Sequence, residues 1–295
     1  MVDEVLRCLR PAPGDVALDC TLGGGGHARA ILERVQPGGR LIGLDVDPVE
    51  LPRTEARLRA AGFGPEQFIA RHGNFADLPQ LLAAEGIAAA DLVLADFGLS
   101  SMQADSPERG FSYKVPGPLD MRMNPAHGET ASQLLSRLSE EALAALLTEN
   151  ADEPHARLIA GLLKQQPLTT THALERLVRT GLSSAQPNLA KGGVKMSVRR
   201  TFQALRIAVN DEFSALDALL QSLPQCLAPG GRAVMLTFHS GEDRRVKKAF
   251  QSGLRAGIYS IVAGEVVRSS KVETFANRRA SAAKLRWAVR AGATA

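Results

Sequence analysis

Apolar positions in the first hundred residues gather into short continuous runs, 15-DVALDCT-21, 40-RLIGLDVD-47, 68-FIARHGN-74 and 91-DLVLADF-97, separated by segments of helix length. A half-exposed antiparallel strand alternates apolar and polar residues, whereas a strand buried on both faces does not. These runs therefore predict a parallel sheet with helices on both faces. The rhythm stops near Gln103. From there to Arg200 apolar residues recur at helical spacing, in 131-ASQLLSRLSEEALAALL-147, 155-HARLIAGLL-163 and 172-HALERLVRT-180. Thr130 stands three residues before Gln133, the arrangement of a capping box. A connector rich in Gly, Ser and Pro, 181-GLSSAQPNLAKGG-193, follows. The α/β pattern returns with a long helix expected over 201–223 and a strand over 229–239. A helix over 241–250 comes next, opened by a second capping-box candidate, Ser240 with Asp243, and then strands over 258–267 and 284–290. The economical reading is one sheet domain in two pieces, 1–103 and 209–295, split by a helical insertion over 104–208 that is the candidate for substrate recognition.

Composition keeps this picture within soluble globular proteins: 45% of residues are hydrophobic and 22% charged, too apolar for a disordered chain. The three cysteines, Cys8, Cys20 and Cys226, are far apart and odd in number. They give neither a disulfide framework nor zinc spacing, and they suit a reducing cytoplasm. The six histidines show no metal spacing either, so no metal is expected. There is no run of eighteen uncharged apolar residues and no leader-like start, which predicts neither a membrane span nor a secretory signal. Net charge is only +4, but residues 232–290 hold 13 Lys and Arg against 4 Asp and Glu. That basic tail favours a polyanionic partner, since phosphate contacts dominate nonspecific nucleic-acid affinity.

Candidate chemistry sits at the ends of the predicted strands. The stretch 18-LDCTLGGGGHARAIL-32 puts glycines between the first strand and the first helix that follows it, where backbone can approach a ligand closely. Asp45 follows at the end of the second strand, at the distance of a carboxylate that accepts from ribose hydroxyls. The glycines do not complete the dinucleotide pattern G-x-G-x-x-G. With the acidic Asp19 before them they suit S-adenosylmethionine, which has no pyrophosphate to cradle. Phe75, after the third strand, is a candidate to lie along the adenine, and Asp96, ending the fourth, would face the reacting end of the cofactor. The letters Asp96-Phe97-Gly98 also suggest a protein kinase. A kinase needs His-Arg-Asp upstream and a long activation loop, and this chain has neither, with only seven residues before 106-SPE-108.

These motifs together resemble the bacterial 16S rRNA (cytosine-N4)-methyltransferases of the RsmH/MraW type. The resemblance runs through 23-GGGGHA-28, 43-GLDVDP-48, 96-DFGLSSMQ-103, 108-ERGFS-112, 117-GPLDMRMNP-125, 200-RTFQALRIAVNDE-212, 229-PGGRAVMLTFHSGEDRRVK-247 and 277-NRRASAAKLRWAVR-290, in order along nearly the whole chain. It implies a class I, Rossmann-like methyltransferase core with an inserted all-helical domain. It also implies S-adenosylmethionine as methyl donor, yielding S-adenosylhomocysteine, and a cytosine in the decoding region of the small ribosomal subunit as acceptor. The implied cofactor contacts are Gly25, Gly26, His27, Asp45, Phe75, Asp96 and Gln103, of which His27 and Gln103 rest on the resemblance alone.

For catalysis Asp96 is the expected amine-orienting residue and proton acceptor. On the substrate side Phe111 and Tyr113 are candidates to stack on an unstacked base. Arg122, Arg199, Arg200 and Arg206, with Arg244, Arg245, Lys247 and Lys248, are candidates for the RNA, and His239 is a further substrate-side candidate. Four departures stand out. A His-x-Pro-Val segment is missing ahead of Val2, Phe97 replaces the usual Leu, 150-NADE-153 replaces Tyr-Gly-Glu-Glu, and 238-FHSGED-243 replaces Phe-His-Ser-Leu-Glu-Asp. A retargeted paralogue, or a noncatalytic assembly factor that binds RNA, is the alternative these departures leave open, as is a homodimer.

Overall fold

The computed structural model describes residues 1–292. Its chain contacts divide it into two compact units, one of Met1–Gly98 with the chain from Phe213 onward, the other Leu99–Glu212. The first unit begins with α1 (Val2–Leu9), followed by β1 (Val16–Asp19), α2 (Gly26–Val35), β2 (Arg40–Asp45), α3 (Glu50–Ala60), β3 (Phe68–His72), α4 (Leu78–Ala84) and β4 (Ala90–Asp96). The second unit holds α5 (Ser101–Asp105), α6 (Ala131–Arg137), α7 (Glu140–Ala151), α8 (Ala156–Leu163), α9 (Thr171–Ala185) and α10 (Lys191–Val209). The chain then returns through α11 (Glu212–Cys226), β5 (Leu227–Thr237), α12 (Ser240–Arg255), β6 (Tyr259–Val262), β7 (Val267–Arg268), α13 (Lys271–Ala276) and β8 (Lys284–Arg290).

The strands form one Rossmann-like sheet in the order β3-β2-β1-β4-β5-β8-β6, with the short β7 also paired to β8. Strands β1 to β5 run parallel, and β8 is antiparallel to both of its long neighbours. Why the strands read as continuous apolar runs is plain from their faces. Leu18, Ile42, Val93, Ala95 and Met235 pack on one side with α4, α11 and α12, contributing Leu78, Leu219, Leu223, Val246 and Phe250. Ala17, Leu41, Leu92, Leu94 and Val234 pack on the other with α1, α2 and α3, contributing Leu9, Ile31, Leu32 and Leu58. Successive residues of a strand face opposite ways, so covering both faces removes the alternation. The chain leaves β1 towards β2 and β3, then crosses back to lay β4 on the other side of β1. That reversal opens a crevice at the carboxyl ends of β1 and β4, where open parallel sheets bind their ligands.

The helical unit has its own core, with Leu119, Leu134, Leu143, Ile159, Leu174, Val198 and Leu205 buried. The expected capping box at its start is present: Gln133 N donates to Thr130 Oγ1 at 3.2 Å and Thr130 N to Gln133 Oε1 at 2.8 Å. Four expectations need correcting. The strand expected over 258–267 is two short ones, β6 and β7, with the chain between them outside the sheet. The helix read over 131–147 is two, broken where Ser139 caps α7 by accepting from Ala142 N. The long helix expected over 201–223 is likewise two, with α10 beginning at Lys191 inside the predicted connector and Asp211 in the left-handed region at φ 49° before α11. The second capping box is shifted by one residue: His239 and Glu242 close it. Asp243 instead pairs with Lys284 at 3.0 Å and Arg286 at 2.7 Å, which hold its carboxyl below the ordinary value although burial works the other way.

Candidate active site

The turn after β1 is built to hold its backbone open. Thr21 N donates to Asp19 Oδ1 at 3.1 Å, Leu22 N to Leu44 O at 2.7 Å and Gly25 N to Leu22 O at 2.8 Å. Thr54, reaching up from α3, donates from Oγ1 to Gly23 O at 2.5 Å. Gly25 is the N-cap of α2 with φ 77°, and a Cβ there would lie 2.8 Å from Thr54 Cγ2, so both backbone and space demand glycine. A Cβ on Gly26 would meet no protein atom within 4 Å, which makes Gly26 the open wall of the turn.

Asp45 locks that turn to β2. Its Oδ2 accepts from Gly23 N at 2.8 Å and its Oδ1 from Asp47 N at 2.9 Å. Burial pushes its carboxyl above the ordinary value, and these two amide bonds pull back against it. A carboxylate offers about four acceptor positions, so each oxygen keeps one for a further donor. Paired ribose hydroxyls match that remainder, and the fit to a nucleoside cofactor rests on it.

At the β1/β4 reversal the structure brings together Asp19, His27 and Asp96. Thr21 Oγ1 accepts from Asp96 N at 2.6 Å and pins the end of β4 to the glycine turn. His27, in the first turn of α2, places Nε2 3.5 Å from Asp96 Oδ2. Burial works against the charged ring, but the Asp96 carboxylate, helped by Asp19, outweighs it and lifts the His27 pKa above the ordinary value. Asp19 is 1% exposed, and burial pushes its carboxyl up to about 6. Two atoms of this group, His27 Nδ1 and Asp96 Oδ1, are buried and bonded to no described residue. Buried polar atoms left so are costly and mark a place where a ligand group completes the set.

Phe75 begins a 3-10 turn whose cap, Asn74, accepts from Ala76 N at 3.0 Å. Its half-buried ring meets Phe97 edge to face, centroids 5.6 Å apart and planes at 70°. Phe97 is itself 6% exposed in the sheet core, so the residue that mimicked a kinase motif is the support of Phe75. Neither this role nor those of Thr21 and Thr54 carries a local sequence signal, because each is a contact between distant strands, turns or helices.

The remaining candidates are divided between the two units. In the helical unit Gln103 is 5% exposed and closes a capping box with Ser100 at the start of α5. Phe111 is buried in the helical core with the Arg109 guanidinium 5.8 Å from its ring, and Tyr113 packs edge-on to Phe202 at 5.0 Å. Both rings therefore serve their own unit's packing. The Arg122 guanidinium is held by Asp120 through two bonds of 2.8 Å, and Arg206 by Glu212 at 2.7 and 2.9 Å. Arg199 is exposed and Arg200 half-buried on α10. In the sheet unit His239 Nδ1 accepts from Glu242 N at 3.4 Å as the cap of α12, a structural task. On the same helix Arg245 lies over the Phe213 ring, 3.7 Å from its centroid, while Lys247 and Lys248 are exposed.

The sequence profile of the MraW methylase family matches residues 1–291. A protein of Alkaliphilus metalliredigens named ribosomal RNA small subunit methyltransferase H 2 is 45% identical over 295 residues, covering 98% of this chain and 84% of its own. One of Lachnoclostridium phytofermentans, named ribosomal RNA small subunit methyltransferase H 1, is 44% identical over 295 residues, covering 98% and 80%. The ribosomal RNA small subunit methyltransferase H of Anaeromyxobacter sp. (strain K) is 43% identical over 307 residues, covering 97% and 95%.

Proposed function

Because this chain belongs to the MraW methylase family, we propose that it transfers a methyl group from S-adenosylmethionine to the exocyclic N4 of a cytosine in the decoding region of small-subunit ribosomal RNA. The names of the relatives support the RNA, and the motif resemblance supports the cytosine amine. One observation carries the methyl-transfer reading. Asp45, with an acceptor position left on each oxygen, and Asp96, with a buried unbonded Oδ1, lie at the carboxyl ends of β2 and β4 on either side of the glycine turn. We assign substrate recognition to the helical unit and the work to the cytoplasm.

When bound, the cofactor would supply a methyl group on a cationic sulfur able to keep the carbon–sulfur electron pair. The protein's own residues do the rest. The turn at Gly25 and Gly26 lets backbone pass close to the ligand, and Asp45 would accept from the ribose hydroxyls. Phe75, braced by Phe97, would lie along the adenine. The amine of cytosine is a weak nucleophile because its lone pair is delocalised into the ring. Holding the two reactants in line can lower the barrier by about 7–11 kcal/mol. As the nitrogen lone pair forms the new N–C bond, an N–H proton passes to Asp96. The test is transfer of labelled methyl to small-subunit RNA, followed by nucleoside mass spectrometry. N4-methylcytidine is the expected product. Cofactor binding without transfer to any small-subunit RNA would refute the proposal in favour of a noncatalytic RNA-binding factor.

A further inference from the structure

Asp96 has two oxygens in different situations, and the difference is made by one side chain. Oδ2 lies 3.5 Å from His27 Nε2, whereas Oδ1 is buried and takes a hydrogen bond from no described residue. Nothing else among the described contacts of Asp96 orients its carboxyl, because the Thr21 bond is to its backbone N–H. The carboxyl is the first group able to rotate at the end of a strand whose backbone is fixed by β1 and β5. A neighbour that takes one oxygen therefore decides where the other points.

We infer that His27 is a positioning residue for Asp96: its Nε2–H holds Oδ2, so that Oδ1 is presented to the substrate amine as hydrogen-bond and proton acceptor. The inference rests on the methyl-transfer reading above and adds to it a task for a side chain. A base whose orientation is set by a third group is a recurrent arrangement in enzymes. The 3.5 Å separation is long, as such pairs often are before substrate closes on them.

The surroundings suit the task. His27 faces Asp96 from β4 and Asp19 from β1, while the amino terminus opposes both weakly. The charged ring donates from Nε2 to Asp96, and the neutral ring still does so when Nδ1 is the nitrogen that gives up its proton. Nδ1 is buried, and among the described residues no acceptor draws the neutral ring's proton to it. When Asp96 accepts the amine proton on Oδ1 it becomes a neutral acid, still held through Oδ2, and passes that proton to solvent after product leaves. No charge has to move through the ring.

Two substitutions separate this role from mere packing. Gln places an N–H donor near the position of Nε2, whereas Asn places its donor nearer Nδ1. With cofactor saturating, His27→Gln should keep kcat within about fivefold of wild type, and His27→Asn should lose about a hundredfold. As an implied cofactor contact His27 should weaken cofactor Kd to a similar extent in both variants, and the positioning role is read as the difference in kcat between them at saturating cofactor. Equal kcat for the two variants, or a loss confined to cofactor Kd, would overturn the inference. A second measurement needs neither RNA nor turnover: the His27 ring is titrated by NMR in wild type and in Asp96→Asn, assigned by its disappearance in His27→Gln. The ring should titrate at lower pH once the carboxylate is gone, and an unchanged titration would overturn the pairing. If wild type methylates no small-subunit RNA, the proposed function fails, and the ring titration alone decides whether His27 answers to Asp96.

Discussion

Replacing Asp19 by Asn removes a carboxylate whose ionisation the fold opposes. The residue closes β1 with 1% of its surface exposed, and burial pushes its carboxyl from an ordinary 3.8 up to about 6. His27 and the Thr21 amide favour the ion, but Asp96 and Asp45 add to burial's effect. As pH rises the unfolded chain loses this proton first. The folded state then holds a proton the unfolded state has released, so stability falls through that interval and stays lower above it. At about 1.4 kcal/mol for each unit, the gap costs about 3 kcal/mol in full, of which about 2 kcal/mol falls between about pH 4.5 and about pH 7.5. Asn keeps an Oδ1 to accept from Thr21 N and has nothing to titrate. Any packing cost of its amide is a fixed offset. His27 acts in the same direction, since its raised pKa gives stability at low pH that is lost as pH rises, and part of that lift comes from Asp19. The assay is urea unfolding followed by Trp287, the only tryptophan, which lies in β8 of the same sheet. The stability of Asp19→Asn relative to wild type should rise by about 2 kcal/mol across that range. A difference that stays flat within about 0.5 kcal/mol would refute the reasoning, because Asp19 would then ionise as freely folded as unfolded.

Asp96→Asn keeps the shape of the strand end but cannot take a proton, so methyl transfer should fall at least about a hundredfold while cofactor Kd, read by calorimetry, moves far less. Equal losses in both would make Asp96 a cofactor ligand only. Asp45→Asn can keep at most one of the bonds from Gly23 N and Asp47 N and loses a charged acceptor, which should weaken cofactor binding by about 1.5–3 kcal/mol in the same measurement. Phe97→Ala removes the brace of Phe75 from the sheet core and should cost about 3–5 kcal/mol of stability in urea unfolding. Phe97→Leu, which restores the residue usual in the resembled family, should retain most of that stability.

The strand ends were legible because a parallel sheet announces itself locally, as apolar runs that stop at a polar residue. Asp19, Asp45 and Asp96 all stand at such stops, and the glycines that follow Asp19 mark the one turn where backbone must open. The Thr130 box was readable for the same reason, being complete within four residues. Breaks inside helical spacing were not. Leu138 continues the apolar spacing across the break, and only the third dimension shows that Ser139 caps a new helix. His239 looked like a substrate group because it ends a strand, yet its ring caps the helix that follows, and the capping pair moved one residue from the expected Ser240. Arg206 and Arg122 stand in the sequence as candidates for RNA, and only the fold shows that Glu212 and Asp120 lie at bidentate distance from them. Charge in a sequence shows that a cation exists and not whether it is already answered.

Strand β4 takes β1 on one side and β5 on the other, and in the chain those partners lie on opposite sides of the helical unit. The arrangement has a consequence for synthesis. A ribosome adding about 5–20 residues each second needs roughly 6–26 s to make the roughly 130 residues between Asp96 and Leu227. For that interval the middle strand of the finished sheet is the outermost strand of a nascent one, with Leu92, Val93 and Leu94 on an open edge. Open apolar edges invite pairing with the wrong chain. The helical unit, complete in the chain by Glu212, is the part free to fold meanwhile. An insertion lengthened by mutation extends the wait of β4, and the damage is expected as aggregation of the sheet unit during translation.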